Sequence, residues 1–274
     1  MHDERPRGGA MGGLEAVDVR YRDLFERSQE VLGPDPRVVR VEVGGSVGAG
    51  TADRWSDLDL VVVTEPAEHE AFLADWPAWL RSITPTVFAR TPIAPFVINA
   101  VTHDGLTLDL SVWPGEVPAF EPPAQYTVGA LSSQRFDEVG AALEYAVEEQ
   151  LRGLVGPFIS LLRREEHLRH LTGVPHLIGL LTTVFLAETG GPPPGKHWNR
   201  AFTAEQRGAV AALPPVSATR EGIVAFALGL AELLVRRARP LYPAFDLVWP
   251  VELAEVAAER IRSELGIDVS GWLR

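Results

Sequence analysis

The sequence predicts an α/β domain with a mixed sheet, followed by an α-helical bundle domain. Three observations predict it. Four short runs between residues 37 and 113 are β-branched or alternate apolar with polar residues, the period of a strand, and stripes of helical period accompany them. Residues 114–123 hold four prolines, a composition that marks a domain boundary. Beyond residue 125 the patterns are helical, with little strand signal. The expected division is 14–122 for the first domain and 125–274 for the second, with residues 1–13 a disordered tail.

Taken in order, MHDERPRGGAMGG is Gly-rich and aperiodic; it reads as a tail, or as an extension upstream of a start at Met11. Leu14 to Leu32 has apolar positions at helical spacing, and Gly33-Pro34 stops it. Arg37 to Val43 alternates as a strand does. Asp57 to Val63 reads as a second, more deeply buried strand, because its apolar run is continuous. Glu68 to Ile83 carries a helical stripe in which Pro77 should bend or divide the helix. Pro95 to Thr102 and Leu106 to Trp113 are the third and fourth strands, joined by the tight turn His103-Asp104-Gly105. Helices are expected over Ser132–Leu171, Pro175–Thr189, Ala204–Leu213, Ala218–Leu241 and Val251–Leu265. A rigid Gly190–Gly195 loop presents Lys196-His197-Trp198.

Composition narrows the function. There is no cysteine, so disulfides, zinc-thiolate sites and thiol nucleophiles are excluded, which fits a reducing, cytoplasmic location. No basic start leads into an apolar segment of signal type. Val174 to Ala187, the longest apolar segment, is short for a membrane span and carries His176; a buried helix is expected, with no membrane partner. The net charge is −12, and residues 1–125 contribute 10 Arg against 20 Asp and Glu. That half repels a nucleic-acid backbone and attracts cations, whether metal ions or a polycationic small molecule. Lys196 is the single Lys beside 24 Arg, in a chain that could have used Arg at any indifferent position.

The chemistry gathers in VEVGGSVGAGTADRWSDLDLVVVT, Val41 to Thr64. Gly-x-x-x-x-Gly-Lys-[Ser/Thr] is absent, since no Lys follows Gly50, and no three of the glycines have Gly-x-Gly-x-x-Gly spacing. Asp57 and Asp59, at i and i+2 on a strand, point to one face. A carboxylate inside an apolar run is costly unless something offsets it. Asp57 read as a cap or turn residue, and Asp109 read as a solvent-facing residue of an edge strand, are the bland alternatives. Gly48, Gly50 and Asp53 read as loop formers.

Gly45-Ser46, then Asp57-Leu58-Asp59 on a strand, then Asp109 on a later strand resembles the nucleotidyltransferase superfamily that includes DNA polymerase beta and the aminoglycoside nucleotidyltransferases. The resemblance covers roughly residues 38–113. It implies transfer of a nucleoside monophosphate, AMP from ATP, to a hydroxyl, with two Mg²⁺ ions held by Asp57, Asp59 and Asp109. Gly45 and Ser46 would approach the phosphates, and Lys196 would reach the triphosphate from the helical half. The active site is expected between the two domains. With the acidic N-terminal half, the resemblance leans the acceptor toward a small cationic molecule such as an aminoglycoside, hence antibiotic resistance. Two alternatives stay open. One makes the acceptor a protein or an RNA end, as in toxin-regulating relatives, and would be favoured by a basic strip of Arg163, Arg164, Arg236, Arg237 and Arg239. The other is a non-catalytic nucleotide sensor. Glu144 and Glu148, at i and i+4, are either a solvated acidic face or the source of a general base. His167 and His170 are expected to face solvent; His197 and Trp198 are expected to anchor their loop, with Trp198 stacking on a base as the alternative.

Overall fold

Five strands form one sheet: β1 (Val38–Val43), β2 (Leu58–Thr64), β3 (Thr86–Ile93), β4 (Val97–Thr102) and β5 (Thr107–Pro114). Their order is β1-β2-β5-β4-β3, with β2 and β5 parallel and the other neighbours antiparallel. The structure, a computed structural model, describes residues 9–93, 97–117, 136–190 and 197–273. It divides into two units, Met1–Gln125 and Tyr126–Arg274.

Strand alternation decides what the sheet presents on each side. In β2, Leu58, Leu60 and Val62 are buried, while Asp59 and Val61 are half-buried. In β5, Leu108, Leu110 and Val112 are buried, while Thr107, Asp109 and Ser111 are half-buried. The apolar face packs under α1 (Gly9–Ala16), α2 (Val19–Leu32), α4 (His69–Ala74) and α5 (Trp76–Ile83), which bring Leu24, Phe72, Leu80 and Ile83 to the same core. Covering one face with helices leaves the polar positions of the central strands on the other. Between β4 and β5, Gly105 takes φ +80°, and the Thr102 hydroxyl donates to Asp104 Oδ1 at 2.6 Å. The predicted Asp-Gly turn is therefore present.

Several expectations need correcting. The helix predicted over 14–32 is two helices, because the Asp18 carboxylate accepts from the Arg20 amide at 3.0 Å and caps a new start. Residues 9–13 are helical rather than tail: a Cβ on Gly13 would lie 2.3 Å from the Val47 carbonyl oxygen, so a glycine there permits close helix packing. Residues 1–8 lie outside the described residues. The helix predicted over 68–83 is divided at Asp75, with Pro77 in the first turn of α5, as Pro geometry favours. Strand β3 was not foreseen. Its Pro92 suits an edge position, and the β3–β4 register shifts between Arg90 and Ile93.

In the second unit, the expected long helix is broken by Gly156-Pro157 and again at Arg164–Glu166, where Glu165 takes φ +58°. The pieces are α6 (Val139–Val155), α7 (Pro157–Arg163) and α8 (His167–Thr189), since α8 runs through Pro175. At 23 residues α8 is long and apolar enough to cross a membrane by length and composition, which the shorter segment of the sequence reading did not reach. Its C-terminal half, including Leu181 and Val184, is buried, and α8 packs against α6 and against α11 (Arg220–Ala238). α9 (Trp198–Ala201) and α10 (Ala204–Ala211) precede α11, and a 3₁₀ segment, Arg239–Phe245, follows it. α12 (Val251–Leu265) presents Ala254, Ala257 and Ala258 and packs against α6; α13 (Ser270–Leu273) ends the unit.

Candidate active site

The opening turn and the first acidic strand meet directly. After β1, Gly44 donates its amide to the Asp59 carbonyl at 2.8 Å. Gly45 then takes φ +49° and starts α3 (Gly45–Gly48), a single helical turn. A Cβ on Gly45 would lie 1.7 Å from Asp59 Oδ2. No side chain fits there, and only glycine adopts that φ without strain. The Gly45 backbone thus lies against the carboxylate of the predicted metal ligand. The first amides of α3 have no carbonyl four residues back inside the turn, and the half-buried Ser46 is among them.

The three predicted aspartates lie on the sheet face opposite the α1, α2, α4 and α5 core and at its edge. Asp57 precedes β2 and is exposed. Asp59 and Asp109 are Cα partners across the parallel β2–β5 pair. Asp59 is pushed up to about 7, first by burial, then by the charges of Asp57 and Asp109. Such a carboxyl pays for its place only if a cation, or a proton, offsets it. Sequence reasoning missed Asn99, the β4 partner of Asp109, whose amide donates to Asp109 Oδ1 at 2.5 Å. The only available signal was an Asn inside an apolar run, Val97-Ile98-Asn99-Ala100-Val101. Beyond it on β3, Arg90 pairs in register with Asn99 and stacks over the Phe88 ring at 5.1 Å.

Among the described residues, no three acidic or imidazole side chains converge to hold a metal ion as they stand. The donor set nevertheless fits a hard divalent cation in kind: the predicted ligands are all carboxylates, and the charges of Asp57 and Asp109 raise the proton affinity of Asp59. Asp53 holds the approach loop, accepting from the Trp55 amide at 2.9 Å and from the Ser56 hydroxyl at 3.2 Å, which agrees with its role as a loop former.

The remaining candidates lie in the second unit. Lys196 falls outside the described residues. Glu144 and Glu148 are half-buried on α6 and, after burial, are the charges that raise the Tyr242 hydroxyl. They are therefore not a fully solvated face. His170 does not face solvent either: it is half-buried, edge-on to Phe158 at 5.9 Å, and burial lowers its pKa. Trp198 is 45% exposed and packs on Phe202 at 5.5 Å, while His197 is exposed. The arginines of the supposed basic strip are largely engaged by acids. Arg163 meets Glu264 at 3.2 Å, Arg236 meets Glu232 at 2.5 Å, and Arg237 meets Glu188 at 3.1 Å and also Glu205.

Comparison with known proteins agrees with the first unit. Residues 26–101 match the family model of the nucleotidyltransferase domain, a segment that holds Gly45, Ser46, Asp57, Asp59 and Asn99 and ends before Asp109. No curated protein sequence matches the chain. Among solved structures, an aminoglycoside 6-adenyltransferase from Bacillus subtilis is similar at 13% identity, over 88% of this chain and 95% of that one. The TM-score of that match is 0.30.

Proposed function

We propose that this chain, whose residues 26–101 form a nucleotidyltransferase domain, moves AMP from ATP to a hydroxyl of a small cationic acceptor, such as an aminoglycoside, with divalent metal. The observation that carries the proposal is the register pair Asp59–Asp109 beside the Gly45 turn. Two neighbouring carboxylates on one sheet face, with close-packed backbone amides beside them, suit a triphosphate and its cations. They suit little else that an ordinary core requires.

When bound, Mg²⁺ neutralises the triphosphate and makes the acceptor hydroxyl more acidic. Asp57 and Asp59 would hold it on the triphosphate side, and Asp109 on the side of the nucleophile. Gly45 admits the phosphates close to the backbone, and the Ser46 hydroxyl and amide bond to phosphate oxygens. Lys196 is the proposed basic contact to the triphosphate. In the transfer, the acceptor oxygen bonds to the α-phosphorus as the bond to the bridging oxygen breaks. Pyrophosphate leaves with that electron pair, and the hydroxyl proton passes to a carboxylate or to water. The lean toward a cationic acceptor rests on the 20 acidic against 10 basic residues of the first 125. A cytoplasmic site of action, where ATP is supplied, belongs to the same proposal.

The test is an acceptor screen with ATP, GTP, CTP and UTP plus Mg²⁺, reading pyrophosphate release. ATP with an aminoglycoside should give the strongest signal. Asp59→Asn should lower the rate at least about a hundredfold, the scale expected on losing a metal carboxylate. Activity that survives this substitution would remove the metal assignment. Labelling of a lysate macromolecule with no small-molecule product would instead favour a protein or RNA acceptor.

A further inference from the structure

Asn99 stands in the one row of the sheet where every central position is polar. Cα register places Asp59, Asp109, Asn99 and Arg90 side by side on β2, β5, β4 and β3. Their charges run negative, negative, neutral, positive. Asn is a poor strand residue, so its presence in the middle of an apolar strand needs a partner. That partner is Asp109 Oδ1 at 2.5 Å. A carboxylate only accepts, so the atom facing it is the amide nitrogen and the contact is a charge-assisted hydrogen bond.

From this geometry we infer that Asn99 is a positioning residue for Asp109, acting on the metal side of the proposed transfer. The inference rests on the proposed metal role of the triad. A neutral amide does three things that its alternatives do not. It holds one carboxylate oxygen, which sets the plane of the group. It does so without adding a cation that would compete with the metal for Asp109. It also stands between Arg90 and Asp109 in the Cα register, where an arginine at its own position would neutralise Asp109. An aspartate at this position would set a third carboxylate in the row, directly beside Asp109. Ligands held from outside in this way typically owe about ten- to a hundredfold in metal affinity to the group that orients them.

The test titrates Mn²⁺ alone into the full chain and follows the free ion by electron paramagnetic resonance. Asn99→Leu removes the donor at similar size, and its Mn²⁺ dissociation constant should rise about tenfold or more. The melting temperature of the metal-free variant should change little, which separates orientation from a merely structural role. In the ¹⁵N-labelled natural chain, Mg²⁺ should shift the Asn99 side-chain amide with the same half-saturation as the Asp59 backbone amide. This second measurement needs no folded variant. A folded Asn99→Leu chain with unchanged Mn²⁺ affinity overturns the positioning role alone, as does an Asn99 amide that stays still while Asp59 responds. If the natural chain binds no Mn²⁺ at all, the triad itself falls and the role of Asn99 falls with it.

Discussion

Asp59 shows at the scale of one residue how far a sequence speaks. Its place inside an apolar run already marks it as costly. What the sequence withholds is the cause of the cost. Burial comes first, and the charges of Asp57 and Asp109 add to it, pushing the group up to about 7. The sign for stability follows. An unfolded aspartate titrates near about 3.9, so between roughly pH 4 and pH 7 the folded chain binds more protons than the unfolded one. In chelator-treated protein this group's contribution is therefore greatest below about pH 4 and is lost as pH rises toward 7. Asp59→Asn should raise the melting temperature more at pH 8 than at pH 5; parallel profiles for the two chains would contradict it. Asn99 was passed over because a single amide carries no pattern, and its partner is ten residues away on the next strand. Lys196 was legible only as a compositional oddity, and it lies outside the described residues.

At the scale of an element, β5 carries both fold and chemistry. Leu108 and Leu110 point into the core, and the half-buried Asp109 between them points to the opposite face. A slip of one residue would bury the aspartate and expose two leucines, so the core holds Asp109 in register with Asp59. Leu108 is 0% exposed, and Leu108→Ala should cost about 2–5 kcal/mol, measured as a lowered urea midpoint. A cost near zero would mean that β5 is not central. Strands β1, β2, β4 and β5 were legible because apolar and polar residues alternate or run together in them. β3 was not, since TVFARTPI carries a proline and a bulge that hide its period, both of which an edge strand tolerates. Helix boundaries failed where a local competitor intervenes: the Asp18 cap, and Gly156-Pro157.

At the scale of the whole molecule, charge is the feature that length and fold do not dilute. A net of −12, concentrated in the first 125 residues, gives the first unit a field that favours cations. If the acceptor is polycationic, its KM should rise several-fold as salt goes from about 0.05 to about 0.3 M, because the Debye length shrinks. A neutral acceptor analogue should show no such rise. Equal salt dependence for both would argue that the acidic half does not steer the acceptor. The glutamate partners of Arg163, Arg236 and Arg237 show the opposite side of the same balance. A cluster that reads as basic in the sequence is paired with acids in the fold.

By itself the sequence determined the order of a mixed α/β region and a helical one, the Gly-Ser turn, and the three aspartates, because these depend on period, composition and spacing along the chain. Only the tertiary structure decided that Asp59 and Asp109 stand side by side, that Gly45 must lack a side chain, and that Asn99 holds Asp109. Those are relations across strands. They arise from register, and register is set by a core to which every element contributes rather than by any local pattern.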